Sequence, residues 1–471
     1  MITEGWSTGI MDTWFLSSPY DPVYVRRGDP LGFRGLSDHI AEILSPGLSN
    51  QTRDARWLSI LGWILVAVDE ARRGYGYEEP ASVSRDQARD IYSWIRPLEL
   101  LWIARSFVLL NETERRQRQL PGIRSIRRWQ KDGRYPERFG MTPHQFTRYR
   151  FVGPYGFYRV LLCGLEGMTV QGDGFRPGPL ARNLAKAVGT TVPAPRRPHY
   201  QTGPKKSPEN HWREAWPWNR RKGNGVVPWL PEPRVARPRL SAEEKALLHP
   251  ALFEQGVQAK RRRFVAEIAA QSKAKDHEGL CSSLATRIGR KAQKTEIYYL
   301  DRLVPFTRLA DAGVDLMDII WGALSESESE TGLKISSLTK EARVGKKLEI
   351  LRRACLAWRV VASKAPDGRF LPTLALAESI TNAKTDTQTI EALVQHHVKW
   401  GGGRRWFMLR SGKIVRDTRA SKDLASRYRF RLWALSRLAW QCGVISRMPP
   451  ALIVEAQSEG DAENEGDPGE E

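Results

Sequence analysis

The chain holds four cysteines in 471 residues, Cys163, Cys281, Cys355 and Cys442, and no two of them form a CxxC pair. That scarcity excludes a disulfide scaffold and a zinc ribbon. With no secretory signal, a reducing, cytoplasmic compartment is the default expectation. Long apolar runs are missing too. The longest, Trp57 to Val68, has 12 residues, and a helix of that length spans about 18 Å against a bilayer core of about 30 Å. It predicts a buried core helix and no membrane partner. Signatures of common chemistry are absent: there is no GxxxxGK[ST], no HExxH and no GxSxG. Gly401-Gly402-Gly403-Arg404-Arg405 lacks the Lys-Ser/Thr of a phosphate loop and reads as a turn. No catalytic residue, metal ligand or cofactor is expected.

Acidic residues are outnumbered. The formal net charge is +21, and it is unevenly spread. Residues 1–80 carry net −4, residues 81–240 net +18, residues 241–454 net +15 and residues 455–471 net −8. The body is therefore a +29 polypeptide with an acidic tail. Of the 74 basic groups 54 are Arg, whose planar fork grips phosphate and stacks on bases as Lys cannot. A surplus of this size implies a polyanionic partner.

Periodicity predicts a mainly α protein of two helical lobes with small β-hairpins. Residues 1–190 form an N-terminal, mostly helical domain, with helices from near Asn50 to Arg73 and from Arg85 to Leu110. Within it, residues 140–188 show a winged-helix-like order. Thr142-Pro143 starts one helix, Tyr155 to Gly164 makes a second, Met168 to Pro177 suggests two short strands around Gly-Asp-Gly, and Pro179 to Val188 makes the last. Residues 191–240 are a basic linker or arm rich in Pro and Trp, with 10 prolines between 193 and 238, a density no helix or central strand tolerates. Residues 241–450 form a C-terminal helical domain. Ser241-Ala-Glu-Glu has the form of a capping box. Leu348, Leu351, Cys355, Trp358 and Val361 make an amphipathic stripe, and a hairpin falls near 404–416. Residues 451–471 are expected to be a disordered acidic tail.

The candidate binding residues are basic clusters interleaved with aromatics: Arg115, Arg116, Arg127, Arg128 and Trp129; then Lys205, Lys206, Trp216, Trp218, Arg220, Arg221 and Lys222 of the arm; then Lys260, Arg261, Arg262 and Arg263, with Arg404 and Arg405 farther on. Cations attract phosphate, and aromatic rings offer stacking faces to bases. A run of four cations covers every side of a helical turn, so part of it must face outward.

Two other readings compete. Asp311, Asp315 and Asp318 share a helical face and would be the best site of a divergent metal-dependent nuclease, although no Lys or His stands beside them in sequence. Alternatively, the basic surface meets an acidic protein subunit. His396-His397 is the one histidine pair. Adjacent residues diverge by about 100° on a helix, so it is read as a surface or capping pair, not a metal site.

The segment Leu48-Ser-Asn-Gln-Thr-Arg-Asp-Ala-Arg-Trp-Leu-Ser-Ile-Leu-Gly-Trp-Ile resembles uncharacterised bacterial proteins encoded near antiviral defence genes, with a polar cap, Thr-Arg, Ala-Arg beside an aromatic, and an early apolar helix. Trp406-Phe407 and the hairpin after it are similar to such proteins. The resemblance implies a setting, antiphage defence, and carries over no activity or catalytic residue. The expectation is a recognition or scaffold subunit that binds nucleic acid, DNA ahead of RNA, within an assembly of other protein subunits.

Overall fold

The structure is a computed structural model. It describes residues 29–77, 82–109, 153–189, 240–289, 294–326, 332–363, 368–401, 405–417 and 427–453, with short pieces at 208, 211–212, 219–220 and 226–227. Among the described residues the protein is mainly helical, with 15 α-helices and little strand. No described helix is long and apolar enough to cross a membrane.

The chain forms two compact units, each discontinuous in sequence. One gathers residues 1–20, 47–266 and 433–447; the other gathers 21–46, 267–432 and 448–471. The sequence reading of two lobes split near 191–240 differs from this division, because residues 241–266 and 433–447 fold with the first unit and residues 29–46 with the second.

The helices are, in chain order, α1 (Arg34–Leu44), α2 (Arg56–Gly74), α3 (Arg85–Leu109), α4 (Pro154–Gly164), α5 (Pro179–Gly189), α6 (Ala242–Phe253), α7 (Gly256–Gln271), α8 (His277–Gly289), α9 (Lys294–Leu300), α10 (Leu303–Glu326), α11 (Ile335–Leu338), α12 (Ala342–Ala362), α13 (Leu371–Asn382), α14 (Asp386–Trp400) and α15 (Leu432–Gln441). The strands are β1 (Asn219–Arg220), β2 (Val226–Val227), β3 (Leu333–Lys334), β4 (Phe407–Arg410) and β5 (Lys413–Arg416).

The first unit is built around α2. Every residue from Trp57 to Leu65 is buried, so the helix needs cover on all sides. It packs against α3, α4 and, most extensively, α5. Gly62 faces α5, and a Cβ there would meet Ala181 Cα at 3.4 Å. The segment expected to be a small wing is not a hairpin. It is a loop closed by a single bridge, Thr169 to Pro177, around a 3-10 turn at Val170–Gly172. Asp173 is the reason. Its Oδ1 accepts from the amides of Phe175 at 2.8 Å and Arg176 at 2.9 Å, a local alternative to strand pairing. The helix expected at Thr142-Pro143 lies outside the described residues, so a winged helix is not seen. The four-residue Ser241 motif is a capping box, with Ser241 Oγ accepting from Glu244 N at 3.1 Å and Glu244 Oε2 accepting from Ser241 N at 2.8 Å.

In the second unit α10 packs on α8 and α12, α12 on α13, and α13 on α14. Leu348, Leu351, Cys355 and Trp358 are buried as their spacing predicts, whereas Val361, the last of the stripe, is half-buried. Phe33, Phe306, Trp358, Phe370, Tyr428 and Phe430 form an aromatic core, with ring centroids 5.4–6.0 Å apart in successive pairs. The predicted hairpin is β4–β5. Its turn residues Ser411 (φ 48°) and Gly412 (φ 71°) both have positive φ, the twist that suits a two-residue hairpin. A strand that the sequence did not suggest, β3, pairs antiparallel with β5 and gives the order β3-β5-β4.

Candidate nucleic-acid interface

The run Lys260–Arg263 lies on α7. Lys260 and Arg263 are exposed and Arg261 is half-buried. Arg262 is 2% exposed, and its Nε donates to the Leu252 carbonyl at 2.8 Å. It shares the buried stripe Ala259, Val265, Ala266 and Ala269, at the spacing of one helix face. Arg262 is therefore removed from the candidate surface and belongs to the core. Arg263 pairs with Glu254 at 3.0 Å.

Arg405 is exposed, while its neighbour Trp406 is buried with its ring 5.9 Å from that of Trp321. This tryptophan is a core residue and offers no stacking face. Arg220 stands in β1, paired with Val226. Arg115, Arg116, Arg127, Arg128, Trp129, Lys205, Lys206, Trp216, Trp218, Arg221, Lys222 and Arg404 lie outside the described residues, as does the tail from residue 454.

The carboxylates of Asp311, Asp315 and Asp318 do come together, but on cations. Arg427 Nη2 lies 2.7 Å from Asp315 and 4.0 Å from Asp318, and its Nη1 lies 3.7 Å from Asp311. Arg429 Nη1 donates to both oxygens of Asp311 at 3.1 Å, and Lys347 Nζ reaches Asp315 at 2.6 Å. Burial alone would raise the Asp315 carboxyl. The Lys347 hydrogen bond and the Arg427 charge outweigh it and hold the group below its usual range. Asp318 has less compensation, and burial pushes it up to about 6. Among the described residues no group of three or more His, Cys, Asp or Glu has the arrangement of a metal site. The partners could not be seen from sequence because Lys347 and Arg427 lie far along the chain.

The pair His396-His397 is not on the surface. Both rings are buried, at 5% and 2% exposure. His396 Nε2 meets the Leu31 carbonyl at 2.8 Å and His397 Nδ1 the Pro30 carbonyl at 2.8 Å.

Sequence reasoning missed one face. On α15, Trp433, Arg437 and Trp440 recur at i, i+4 and i+7 and so share a side. Trp440 is 49% exposed, and among the described tryptophans it alone is classed as exposed. The Arg437 guanidinium lies 4.9 Å from the Trp433 ring centroid and that of Arg53 lies 5.0 Å from it, within cation–π range. The opposite side of α15, with Leu435, Leu438, Ala439 and Cys442, is buried. Gln441 anchors the helix: its Oε1 accepts from Ala55 N at 2.7 Å and its Nε2 donates to Asp54 at 3.3 Å. The Tyr158 hydroxyl donates to the Asp54 carbonyl at 2.8 Å and holds the same loop. The signal available in sequence was the W-x3-R-x2-W spacing, hidden because the apolar stripe beside it is stronger.

No protein-family model, curated protein or solved structure matches the chain.

Proposed function

We propose that the protein is a nucleic-acid-binding recognition or scaffold subunit of a bacterial multi-protein assembly of the antiphage-defence kind, acting in the cytoplasm, with catalysis supplied by other subunits. The observation that carries this reading is the charge surplus of +29 on residues 1–454, which ion pairs such as those of Arg263, Arg427 and Arg429 leave unchanged because each takes one cation and one anion. The exposed Lys260 and Arg405 and the cationic face of α15 add local support. The defence setting rests on the resemblance of residues 48–64.

A salt titration tests it. Affinity for duplex or single-stranded DNA should fall linearly on log–log axes, with a slope of about −0.9 per phosphate neutralised on duplex and about −0.7 on single strands. Charge reversal at Arg220, Arg221 and Lys222 should flatten the slope. Absence of measurable binding at about 100 mM salt, where phosphate contacts still hold, would favour the protein-interaction reading instead. Divalent-dependent cleavage lost in Asp315→Ala would favour a nuclease.

A further inference from the structure

We infer that the α15 face formed by Trp433, Arg437 and Trp440, with Arg53 beside it, is a stacking site for unpaired nucleobases, so that the nucleic acid preferred by this unit is single-stranded. This inference rests on the nucleic-acid reading above and specifies its substrate class.

Three observations carry it. The first is the exposure of Trp440. A tryptophan in water forgoes the favourable burial of its ring, on the order of 2 kcal/mol. The buried Trp57, Trp63, Trp94, Trp102 and Trp212 of the same unit show how the fold treats the others.

The second is Arg437. Arg262 and Arg263 of the same unit hydrogen-bond to a carbonyl or pair with a carboxylate. Among the described residues Arg437 pairs with no carboxylate. Its Nε is buried without a hydrogen bond, and its guanidinium lies against the Trp433 ring. That leaves a cation, held in a fixed place beside an aromatic surface, able to meet a phosphate.

The third is spacing and rigidity. Trp433 and Trp440 are separated by about 10 Å along the helix axis, and the Arg437 guanidinium lies over the Trp433 ring. The helix is anchored by its buried face and by Gln441.

The exposed Trp440 ring beside cations held over Trp433 suits a strand whose phosphates pass the guanidiniums while a base lies on Trp440. Duplex DNA offers the phosphates but hides the base faces in its own stack. Only unpaired nucleotides use both features. An acidic peptide would satisfy Arg437 and leave the two rings without a matching surface.

The test uses the full chain and fluorescence anisotropy with three probes: a labelled oligothymidine of about 12 nucleotides, within the site sizes of single-strand binders, a duplex of equal length, and polyglutamate. The expected result is tighter binding of the oligothymidine than of the duplex. Trp440→Ala should weaken the single strand about tenfold and leave the duplex within about twofold, with Trp440→Phe restoring most of the loss. Because Trp440 is exposed, this variant does not disturb the core. Arg437→Ala should reduce the single-strand salt slope by about 0.7. Equal loss on both nucleic acids, or no loss, overturns the inference while the proposed function stands. Trp440-dependent binding of polyglutamate also overturns it, in favour of an acidic protein. Failure of the wild-type chain to bind any nucleic acid at low salt overturns the proposed function itself.

Discussion

Arg56 and Glu244 form an ion pair from which water is almost wholly excluded, with side-chain exposures of 7% and 0%. Arg56 opens α2, where the helix dipole disfavours a cation. Glu244 is the third residue of α6 and closes the capping box with Ser241. One carboxylate thus neutralises a buried guanidinium and satisfies the start of a second helix. Glu244→Ala would leave the guanidinium buried and uncompensated, and is expected to destabilise the protein by about 3–5 kcal/mol. Ser241→Ala, which removes only the cap, should cost about 1 kcal/mol. Denaturant unfolding of the two variants measures both. A Glu244→Ala cost no greater than that of Ser241→Ala would show that the pair does not hold the fold.

That pair also explains how far the sequence could be read. The capping box, the α12 stripe, the hairpin at Ser411-Gly412 and the helix at Trp57 to Val68 are local patterns, and each is visible in a window of a few residues. What the sequence hid depends on distant partners. Nothing near Arg56 announces Glu244, so the placement of residues 241–266 with the first unit was invisible. Arg262 looked like its neighbours in a basic run, and only the stripe Ala259–Val265–Ala266–Ala269 distinguishes it. The Asp311–Asp318 face looked unpartnered because Arg427 folds onto it from the far end of the chain. The spacing of Trp433 and Trp440 is masked by the stronger apolar stripe of Leu435, Leu438 and Ala439 on the same helix.

Asp318 sits within reach of Arg427 yet keeps a carboxyl pushed up to about 6 by burial, with the neighbouring Asp315 adding to the rise. A raised folded-state value means that the folded chain holds a proton which the unfolded chain releases. Stability is therefore lost as pH climbs from near 4 through 6. Asp318→Asn should remove that loss and stabilise the protein at pH 7, by on the order of 1 kcal/mol after allowing for the third of the side chain that water reaches. At pH 4 the substitution should be close to neutral. Thermal unfolding of the two proteins at both pH values checks this, and equal effects at the two would refute it.

Glu99 gives the first unit a similar dependence at higher pH. Its carboxyl is completely buried, receives the Tyr155 amide, and is pushed up to about 8 by burial, against the opposing pull of that hydrogen bond, the Arg96 charge and Tyr92. The folded protein keeps Glu99 protonated at pH 7, and stability should fall as pH rises from about 4.5 through 8. Glu99→Gln retains an acceptor for the Tyr155 amide and cannot ionise. The variant should match the wild type near pH 5 and exceed it at pH 9, by on the order of 3 kcal/mol. Urea midpoints at the two pH values measure the difference. A variant weaker than the wild type at pH 9 would mean that the ionised carboxylate is the form the fold requires.

The buried histidines of the second unit run the other way. His396 donates from Nε2 to the Leu31 carbonyl, so Nδ1 is the nitrogen that would take up the second proton. His397 donates from Nδ1 to the Pro30 carbonyl, and its Nε2 accepts from the Trp406 amide at 2.9 Å. Protonating His397 would replace that last acceptor with a donor facing a donor. Burial pushes His396 down to about 4, the Leu31 carbonyl opposing, and pushes His397 and His277 below their ordinary value as well. Here the unfolded chain binds the extra protons. The stabilisation is complete above about 6.5 and is lost as pH falls toward 4. Asp29 and Asp318, whose carboxyls are raised, shift stability in the opposite sense, so the comparison must be between wild type and variant at each pH. His396→Gln should lower stability at pH 7 and reduce the loss between pH 7 and 4.5 by about 2–3 kcal/mol. Equilibrium unfolding of both proteins across that range would show it as two curves converging in acid, and parallel curves would show that His396 stays neutral or charged in both states alike.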